Sequence, residues 1–515
     1  MRDINQIPSE ARLLWQEDRR IATYPPLDKD LIVDVVIVGG GITGLVSAYL
    51  LAKEGKKIAL LEADSLLEGT TGYTTAKISS QQGPIYQEIM KIHGKEKAKL
   101  YYEANEEALN YIRKLQEEEN IACDLTTEDA YLYTTNDKNL EILEKEEQAY
   151  NALGINGGEA TAEVDLPYTV KKALVLRNQA QFDPVKFLQG LLPSIKNNGG
   201  WIFEHTRAVS VKGSDEPTVK TENGHKIKCK DVIVSSHFPF NDEQGAYFSR
   251  LHAQRSYSIV VKPVKTPPKG MYLAVDSPSR SLRQATDPNG KPLLLIGGQG
   301  HTAGKNDDST FANYEALKNY GEEEFGIASI PYRWSAQDLV SLDHVPYIGQ
   351  MVTGKKHVWV ATGFAKWGMS NGVVAALLLK DLILEKENRY AALFDPTRTE
   401  LKKGATSFIK ENTDVAKELV KGKAHREDKT VEELERDEGS IVVHDGKKAG
   451  AYRDKAGNIH VIKPTCTHMG CDVEWNDAER SWDCPCHGSR FSHTGSVIEG
   501  PAVKPLKKWK NRMRG

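Results

Sequence analysis

The sequence lacks any apolar run long enough to cross a lipid bilayer. Its longest apolar runs, 31–38 and 373–379, are far shorter than the roughly 20 residues that a spanning helix needs. Residues 1–20 have no apolar core of the kind that a secretory signal requires. We therefore expect a soluble, cytoplasmic protein without a transmembrane segment.

An excess of basic charge is also missing, and cysteine is scarce. Lys and Arg together number 68 against 71 Asp and Glu, so the net charge of −3 gives no argument for a nucleic-acid partner. Four of the six cysteines fall within 466–486, which is typical of a metal site rather than a secreted disulfide scaffold. Cys123 and Cys229 are isolated, and we expect them to be small buried apolar side chains. A chain of 515 residues predicts two or three domains.

The C-terminal cysteines stand in two short segments, CTHMGC and CPCHGSRF. Each segment offers one thiolate and one imidazole: Cys466 with His468, and Cys484 with His487. Two cysteines on one iron and two histidines on the other form the ligand set of a Rieske 2Fe–2S cluster. Zinc is the main rival, but zinc fingers space their ligands differently and end in a helix, whereas these segments end in Gly/Ser turns. The sequence predicts a Rieske cluster.

Residues 439–507 read as short strands joined by glycine turns and resemble Rieske proteins. In cytochrome bc-type members, the cysteines equivalent to Cys471 and Cys486 form a disulfide, so the resemblance implies that pair, although a reducing cytoplasm opposes it. Ser489 matches a serine whose hydroxyl bonds a bridging sulfide. Phe491 stands where a tyrosine usually donates to a ligand sulfur, which implies a lower potential than the top of the Rieske range.

A dinucleotide-binding βαβ unit is indicated near the N-terminus. The β-branched run LIVDVVIV leads into GGGITG, a helical stretch, and the strand KIALL. Gly39, Gly41 and Gly44 fit G-x-G-x-x-G, which allows a tight turn and brings a helix N-terminus to a pyrophosphate. Glu62 ends the second strand, where a carboxylate accepts from ribose hydroxyls.

The loop 68–83 is rich in threonine and glycine and is predicted to fold over the cofactor. Thr71, Thr74 and Thr75 offer hydroxyls to phosphate or ribityl oxygens. Lys77 has two open interpretations: it lies near the flavin ring, or it is a solvated charge.

The order of elements over 30–390 resembles the D-amino-acid-oxidase-like FAD-dependent oxidoreductases, and the stretches LDHVPYIGQ and HVWVATGFAKWGMSNG strengthen the match. In that family a glycine-rich turn brings a helix N-terminus to the flavin. The matching positions are Gly363, Gly368, Met369 and Ser370. The resemblance implies FAD and an amine or amino-acid substrate whose carboxylate is held from a sheet within 247–340. The candidate residues for that role are Arg255, Tyr257, Arg283 and His301.

The predicted fold class is α/β, with a Rossmann-like FAD-binding domain interleaved with a mixed-sheet substrate domain, followed by an all-β Rieske domain. The predicted boundaries are an N-terminal arm at 1–30, the oxidoreductase at 31–390, a helical linker at 391–438 and the Rieske domain at 439–515. Within the oxidoreductase, FAD-binding parts are expected at 31–85, 170–236 and 341–390, and the substrate lobe at 86–169 and 237–340.

The predicted function is oxidation of an amine or amino-acid-like substrate by FAD, with electrons passing singly through the cluster to an unidentified redox partner. Two alternatives remain open: a reductase importing electrons from a ferredoxin, and a non-catalytic redox carrier or sensor. A Rieske oxygenase is disfavoured because it requires a mononuclear iron held by two histidines and one carboxylate, and no such pattern is evident outside the cluster ligands.

Overall fold

The computed structural model describes residues 6–16, 22–242, 245–305, 309–398 and 429–509. Among these residues, no helix combines the length and the apolar character needed to span a membrane. The helices are Ile42–Lys53, Tyr86–His93, Lys95–Glu118, Leu140–Leu153, Pro184–Asn197, Phe311–Phe325, Gly368–Ile383 and Ala391–Phe394. Short 3-10 turns occupy Asp137–Asn139, Thr161–Glu163 and Tyr247–Ser249.

A six-stranded sheet, the parallel sheet, carries the predicted βαβ unit. Its strands in spatial order are Tyr347–Gln350, Val358–Thr362, Asp231–Val234, Val35–Val38, Ile58–Leu61 and Trp201–Phe203. All neighbours pair in parallel except the edge strand Tyr347–Gln350. The helix Ile42–Lys53 is buried along nearly its whole length and packs against Pro184–Asn197 and Gly368–Ile383. Burial on every side explains why its sequence is almost uniformly apolar.

The large sheet has nine mostly antiparallel strands. Its main path runs Ile327–Ser341, Leu251–Pro263, Pro292–Thr302, Arg280–Thr286, Met271–Ala274, Thr126–Thr134, Lys172–Gln181 and Lys77–Ile78, and Gly157–Glu159 pairs with Lys172–Gln181. The strand Lys172–Gln181 therefore lies in this sheet, although the sequence predicts 170–236 as an FAD-binding part. Its residues pair along their length with those of Thr126–Thr134, so pairing within the large sheet decides its place.

A small sheet of Leu31–Ile32, Lys226–Lys228, Thr218–Thr221 and Ala208–Lys212 flanks the parallel sheet. The run 31–38, predicted as one strand, is thus divided between two sheets. Asp34 causes the break: its carboxylate accepts from the Lys57 amide at 2.9 Å and its carbonyl accepts from the Lys230 amide at 2.9 Å. These bonds keep Asp34 out of the strand pairing of both sheets.

The C-terminal domain is all-β, and with the interleaved sheets it matches the predicted fold class. One sheet contains Glu438–His444, Lys447–Arg453 and Ile459–Ile462; the other contains Glu474–Asn476, Ser481–Asp483, Arg490–Ser492 and Val497–Glu499. The helical linker predicted at 391–438 falls largely on 399–428, which lies outside the described residues. Residues 429–437 are not helical, because Val431 and Leu434 pack into the apolar core beside Val442.

The N-terminal segment 6–16 lies between the large sheet and the C-terminal domain. Arg12 bridges the strand residue Arg333, whose guanidinium donates to the Ser9 carbonyl at 2.9 Å. From the other side, Arg480 donates to the same carbonyl at 3.3 Å, and Lys455 pairs with Glu10 at 2.6 Å. This segment therefore joins the two halves of the chain.

The C-terminal domain is also docked directly on the large sheet. Gln337 Nε2 donates to the Gly488 carbonyl at 2.8 Å, and a Cβ added at Gly488 would lie 2.3 Å from the Ala253 Cβ. At a second contact, the Thr310 amide donates to Asp477 at 2.8 Å. Such close backbone approach fixes the loop around Gly488 against the sheet.

Candidate functional site

A cavity of about 1110 Å³ lies between the parallel sheet, the large sheet and the C-terminal domain. Its volume is slightly above the ~300–1,000 Å³ typical of ligand sites, as an extended dinucleotide would require. The predicted glycine turn, the threonine loop and the turn before Gly368 all contribute to its wall.

The glycine turn forms the floor of this cavity. Gly39 has a φ of +112°, and a Cβ there would lie 2.4 Å from the Ser235 carbonyl oxygen. A Cβ on Gly44 would lie 1.9 Å from the Gly39 carbonyl oxygen, so helix and turn touch through bare backbone. The helix begins at Ile42, directly after Gly41, and its N-terminus meets the cavity, where the positive end of the helix dipole suits a pyrophosphate.

Glu62 lies beside this turn at the end of its strand. Its Oε2 accepts from the Gly40 amide at 2.7 Å and its Oε1 accepts from the Asp64 amide at 3.0 Å. Burial raises the pKa of this carboxyl, and the two amide bonds partly offset that shift. The carboxyl is thus oriented at the cavity wall, where the ribose of a dinucleotide is expected.

The threonine loop covers the same end of the cavity, and Thr71, Thr74 and Thr75 all line it. Thr71 Oγ1 accepts from the Ile42 amide at 3.1 Å, so it caps the helix that faces the pyrophosphate position. Thr74 is held through its carbonyl, which accepts from the Trp15 indole at 2.9 Å.

Lys77 lines the cavity and is buried. The interpretation of Lys77 as a solvated surface charge is therefore wrong. Its Nζ donates to the Tyr272 carbonyl at 2.7 Å and to Ser281 Oγ at 2.8 Å. Burial lowers the pKa of Lys77 to about 7, with a smaller contribution from the charge of Arg283. An amine of that pKa can be neutral or charged near neutrality, as groups at functional sites often can.

The second glycine-rich turn meets the cavity as the family resemblance implies. Gly363 has a φ of +79° and lines the cavity together with Gly368 and Met369, where the helix Gly368–Ile383 begins. Ser370 differs. Its buried hydroxyl donates to the Ser79 carbonyl at 3.2 Å and accepts from Gln82 Nε2 at 3.1 Å, so it ties the helix to the loop instead of facing the cavity.

Of the four candidate catalytic residues, all of which lie in the described part of the chain, Tyr257 alone lines the cavity. His301 Nδ1 is 2.9 Å from the Thr302 carbonyl and so carries a proton, which leaves Nε2 to accept from the Tyr257 hydroxyl at 3.0 Å. Burial raises the pKa of Tyr257, so the phenol keeps its proton. His301 thereby orients Tyr257 from behind.

The two candidate arginines are buried and bonded within the protein. Arg255 donates to Ser335 Oγ at 2.8 Å and to Gln337 Oε1 at 3.1 Å, and its Nε lies 3.9 Å from Asp483 of the C-terminal domain. Arg283 donates to the carbonyls of Thr75, Ala76 and Phe182. Both guanidiniums are thus engaged in holding domains or loops together, and neither is positioned to clamp a substrate carboxylate.

Several polar residues at the cavity were not singled out by the sequence. They are His237, Gln337, Asp338, Lys366 and Glu499. None stands in a motif, and Glu499 comes from the C-terminal domain, so no local signal in the sequence could have grouped them.

In the C-terminal domain, the two ligand loops (466–471 and 484–489) bring the four predicted ligands together. The His468 and His487 rings have centroids 5.0 Å apart and stand perpendicular. Cys484 hydrogen-bonds Cys466, and this bond lowers the pKa of the Cys466 thiol. His468 Nδ1 is buried and has no hydrogen-bond partner among the described residues, as a metal-ligating nitrogen requires. This donor set fits a cluster with a thiolate side and an imidazole side.

The remaining two cysteines of the loops, Cys471 and Cys486, form a disulfide with Cα atoms 6.5 Å apart. This is the pair that the Rieske resemblance implies. Their sulfurs lie near Cys484, yet a disulfide sulfur is not a thiolate and does not serve as a metal ligand here. The bond ties one ligand loop to the other.

Phe248, in the turn Tyr247–Ser249, packs edge-on against both histidine rings. Its ring centroid is 5.4 Å from that of His468 and 5.4 Å from that of His487. The imidazole side of the ligand loops therefore faces the oxidoreductase half of the chain.

Ser489 and Phe491 complete the surroundings of the ligand loops. Ser489 Oγ bonds Cys466 and accepts from the Ala502 amide at 3.0 Å. Phe491 is fully buried in the apolar cluster that contains Cys466 and Cys484, and it brings no donor to them.

Replacing Phe491 by tyrosine is expected to raise the midpoint potential of the cluster. A hydroxyl that donates to a ligand sulfur stabilises the reduced cluster, and ~1 kcal/mol corresponds to roughly 40 mV for one electron. A redox titration followed by EPR measures the shift, with Phe491→Leu as a control that alters packing without adding a donor. A tyrosine variant with an unchanged or lower midpoint contradicts this account.

Two family models match the chain: the FAD dependent oxidoreductase model at residues 34–382 and the Rieske [2Fe-2S] domain model at residues 426–510. The putative Rieske 2Fe-2S iron-sulfur protein YhfW of Bacillus subtilis is 45% identical over 493 residues, covering 96% of each chain. Gamma-glutamylputrescine oxidoreductase of Escherichia coli is 24% identical over 390 residues, 72% of this chain and 88% of its own. The glycine oxidase structure from Geobacillus kaustophilus superimposes with a TM-score of 0.59 at 18% identity, covering 72% and 99% of the two chains.

Proposed function

The chain belongs to the FAD dependent oxidoreductase family and carries a C-terminal Rieske [2Fe-2S] domain, and from that premise we propose that it oxidises an amine or amino-acid-like substrate and delivers the electrons one at a time through the cluster. When bound, FAD would accept a hydride equivalent and would release the two electrons one at a time. The protein supplies binding, orientation and a route between the two sites.

The observation that carries this proposal is the wall shared by the cavity and the ligand loops. Gln337 lines the cavity, and its Nε2 donates to the carbonyl of Gly488, the residue after His487. One side chain therefore spans from the cavity wall to the ligand loop. This contact places the ligand loop beside the cavity wall, as transfer of electrons between the two centres requires.

Within the cavity, different residues of the chain would bind different parts of FAD and the substrate. Gly39 and Gly41 with the helix N-terminus at Ile42 would hold the pyrophosphate, and Glu62 the ribose. The helix N-terminus at Gly368 would hold negative charge on the flavin ring. Tyr257, oriented by His301, would contact the substrate from the large sheet.

The names of the relatives favour nitrogen-containing substrates. By its name, the E. coli relative acts on gamma-glutamylputrescine, and the superimposed structure is a glycine oxidase. We extend to this chain only the shared chemistry, oxidation at a carbon bearing an amine.

Anaerobic reduction of the holoprotein tests the proposal directly. The protein is mixed with a panel of amino acids and primary and secondary amines, while flavin absorbance and the cluster's EPR signal are followed together. We expect one class of amine to bleach the flavin, and the cluster to be reduced after the flavin because it receives the same electrons.

The other outcomes separate the alternatives. Reduction of the cluster before the flavin by a reduced ferredoxin, with no response to amines, would reverse the direction of electron flow. No flavin reduction by any amine, imino acid or hydroxy acid would favour a carrier or sensor.

A further inference from the structure

The first ligand loop, 466–471, brings one cluster ligand to the protein surface. Cys466, Cys484 and His487 are buried, with at most 8% of each residue exposed, whereas His468 is half-buried. Met469, the next residue along the chain, is 49% exposed. This loop is therefore where an external protein can come closest to a ligand of the cluster.

A second exposed apolar residue lies beside this loop. Val503 is 38% exposed, and the carbonyl of the following residue, Lys504, accepts from the Thr467 hydroxyl at 2.5 Å. Because Thr467 stands two residues before Met469, this bond brings together the stretches that carry Met469 and Val503. Val503 also lines the cavity, so this surface adjoins it. Two exposed apolar side chains are ordinary on a protein surface and do not by themselves mark a binding site.

Lysines extend this surface along two paired segments, 462–467 and 504–509. The Lys463 amide donates to the Lys507 carbonyl at 2.8 Å, and Lys508 forms a bridge with Ile462. Four lysines of these segments are exposed, and we call them the lysine ribbon: Lys463, Lys504, Lys507 and Lys508.

The lysine ribbon is not neutralised by acids in the described part of the chain. Neither 462–471 nor 500–509 contains Asp or Glu, and none of the four lysines forms a salt bridge with a described residue. Asp472, which follows the first ligand loop, is paired with Lys448 at 2.9 Å. Asp445 accepts from the Trp509 indole at 3.4 Å. The whole chain has a net charge of −3, so this basic surface is a local feature.

This combination favours a redox protein with an acidic surface as the partner. Proteins that exchange single electrons form small interfaces, below about 1,200 Å², and opposite charges steer their encounter. Apolar contacts at the centre with polar groups around them are typical of protein interfaces. Lysines alone would also attract an anionic lipid surface. Their place beside the most exposed cluster ligand favours an electron carrier, which must come close to that ligand.

We propose that an acidic one-electron carrier protein docks on the surface formed by Met469, Val503 and the lysine ribbon. The proposal rests on the proposed function for the outward direction of electron flow, whereas the docking contacts are the same in either direction. Each encounter would move one electron from the reduced cluster to the oxidised carrier, with no bond made or broken and no proton transferred.

The test uses the full-length holoprotein, reduced with dithionite, freed of excess reductant and mixed with an oxidised carrier in a stopped-flow instrument. Plastocyanin, an acidic blue-copper protein, is the probe, and the basic cytochrome c is the comparison of opposite charge. We expect the second-order rate constant for plastocyanin to fall at least tenfold between ~0.01 M and ~1 M salt, because the screening length falls from ~30 Å to ~3 Å. Cytochrome c should show no such fall.

Reversing two charges of the ribbon, Lys504→Glu with Lys507→Glu, is expected to slow the reduction of plastocyanin at least tenfold at low salt. The matched control is Lys95→Glu with Lys138→Glu, which makes the same change in net charge at two exposed lysines of the oxidoreductase half outside the cavity lining. The control should slow the reaction less than about threefold, since distant charges are screened. Met469→Gln should lower the rate at both salt concentrations, because it removes an apolar contact.

Flavin absorbance and the EPR spectrum and midpoint of the cluster show in each variant that both domains are folded and loaded. A plastocyanin rate that does not depend on salt, or that is unchanged in the ribbon variant, overturns the proposal. A steep fall with salt for cytochrome c alone does the same, since it would indicate an acidic docking surface. An unchanged rate in Met469→Gln overturns the placement of the surface at the ligand loop.

Sedimentation with vesicles of phosphatidylcholine and phosphatidylserine examines the lipid alternative. We expect the ribbon variant and its parent to sediment alike. Vesicle binding that the ribbon variant loses, with an unchanged plastocyanin rate, would assign the lysines to a membrane surface and overturn the proposal.

Failure of this proposal is distinguishable from failure of the proposed function, because the cluster is reduced chemically and no amine is needed. If amines reduce flavin and cluster while the ribbon variant reacts with plastocyanin as the parent does, the docking surface is wrong and the function stands. If plastocyanin reacts through the ribbon but no amine bleaches the flavin, the docking surface stands and the function is wrong.

Discussion

Replacing Gly44 by valine is expected to yield a protein without FAD. The new Cβ would lie 1.9 Å from the Gly39 carbonyl oxygen, and neither backbone segment has room to move. Gly39 is itself pressed against the Ser235 carbonyl, and the helix that contains Gly44 is buried on all sides. We expect a loss of more than ~4 kcal/mol of stability, because overpacking here acts on backbone rather than on a flexible side chain. Flavin absorbance per protein and thermal unfolding measure both effects.

Gly55→Ala is the control for glycine removal itself. Gly55 also has a positive φ, +77°, but no atom lies within 4 Å of the position that a Cβ would take, so only the backbone penalty of roughly 1–2 kcal/mol applies. That variant should retain its flavin. A Gly44→Val protein with full flavin content would show that the turn and the helix do not need this contact.

Replacing Cys484 by serine is expected to remove the cluster and abolish one-electron delivery while leaving FAD bound. A metal-ligating sulfur must be a thiolate, and a serine hydroxyl does not ionise under the same conditions. Loss of a ligand should lower the affinity for the cluster by more than the ~10–100-fold that loss of a hydrogen-bond partner of a ligand costs. Flavin reduction by substrate should continue, whereas reduction of an external one-electron acceptor should stop.

Cys229→Ser provides the matched comparison. Cys229 is a buried lone thiol that donates to the Pro217 carbonyl at 3.3 Å, and a hydroxyl can make the same bond. It should keep both the iron–sulfur EPR signal and the flavin. Retention of the EPR signal in Cys484→Ser would remove Cys484 from the ligand set.

The parts of the site that could be predicted from sequence are those whose residues are neighbours in the chain. The turn at Gly39 and Gly44 acts within one βαβ unit, and each ligand loop carries its Cys and His two or three positions apart. The chemistry of such units is fixed by local spacing.

The substrate end could not be predicted, because it is assembled across domains. Arg255 and Tyr257 are two positions apart on one strand, yet Tyr257 faces the cavity whereas Arg255 is bonded at the domain interface. Which of them meets the cavity depends on how the C-terminal domain docks, and no periodicity encodes that. Asp338 and Glu499 lie far apart in sequence for the same reason. The helix predicted over 429–437 is wrong because tertiary packing of Val431 and Leu434 overrides the helical composition of that segment.

The contacts that Ser9 and Glu10 make with the C-terminal domain determine when the N-terminal segment can dock fully during synthesis. Glu10 and its partner Lys455 are 445 residues apart, so this contact can form only after the C-terminal domain has left the ribosome. Ala11 and Gln16 in that segment line the cavity, as do residues 497–503. The wall formed by residues 497–503 is therefore the last part of the cavity to be put in place.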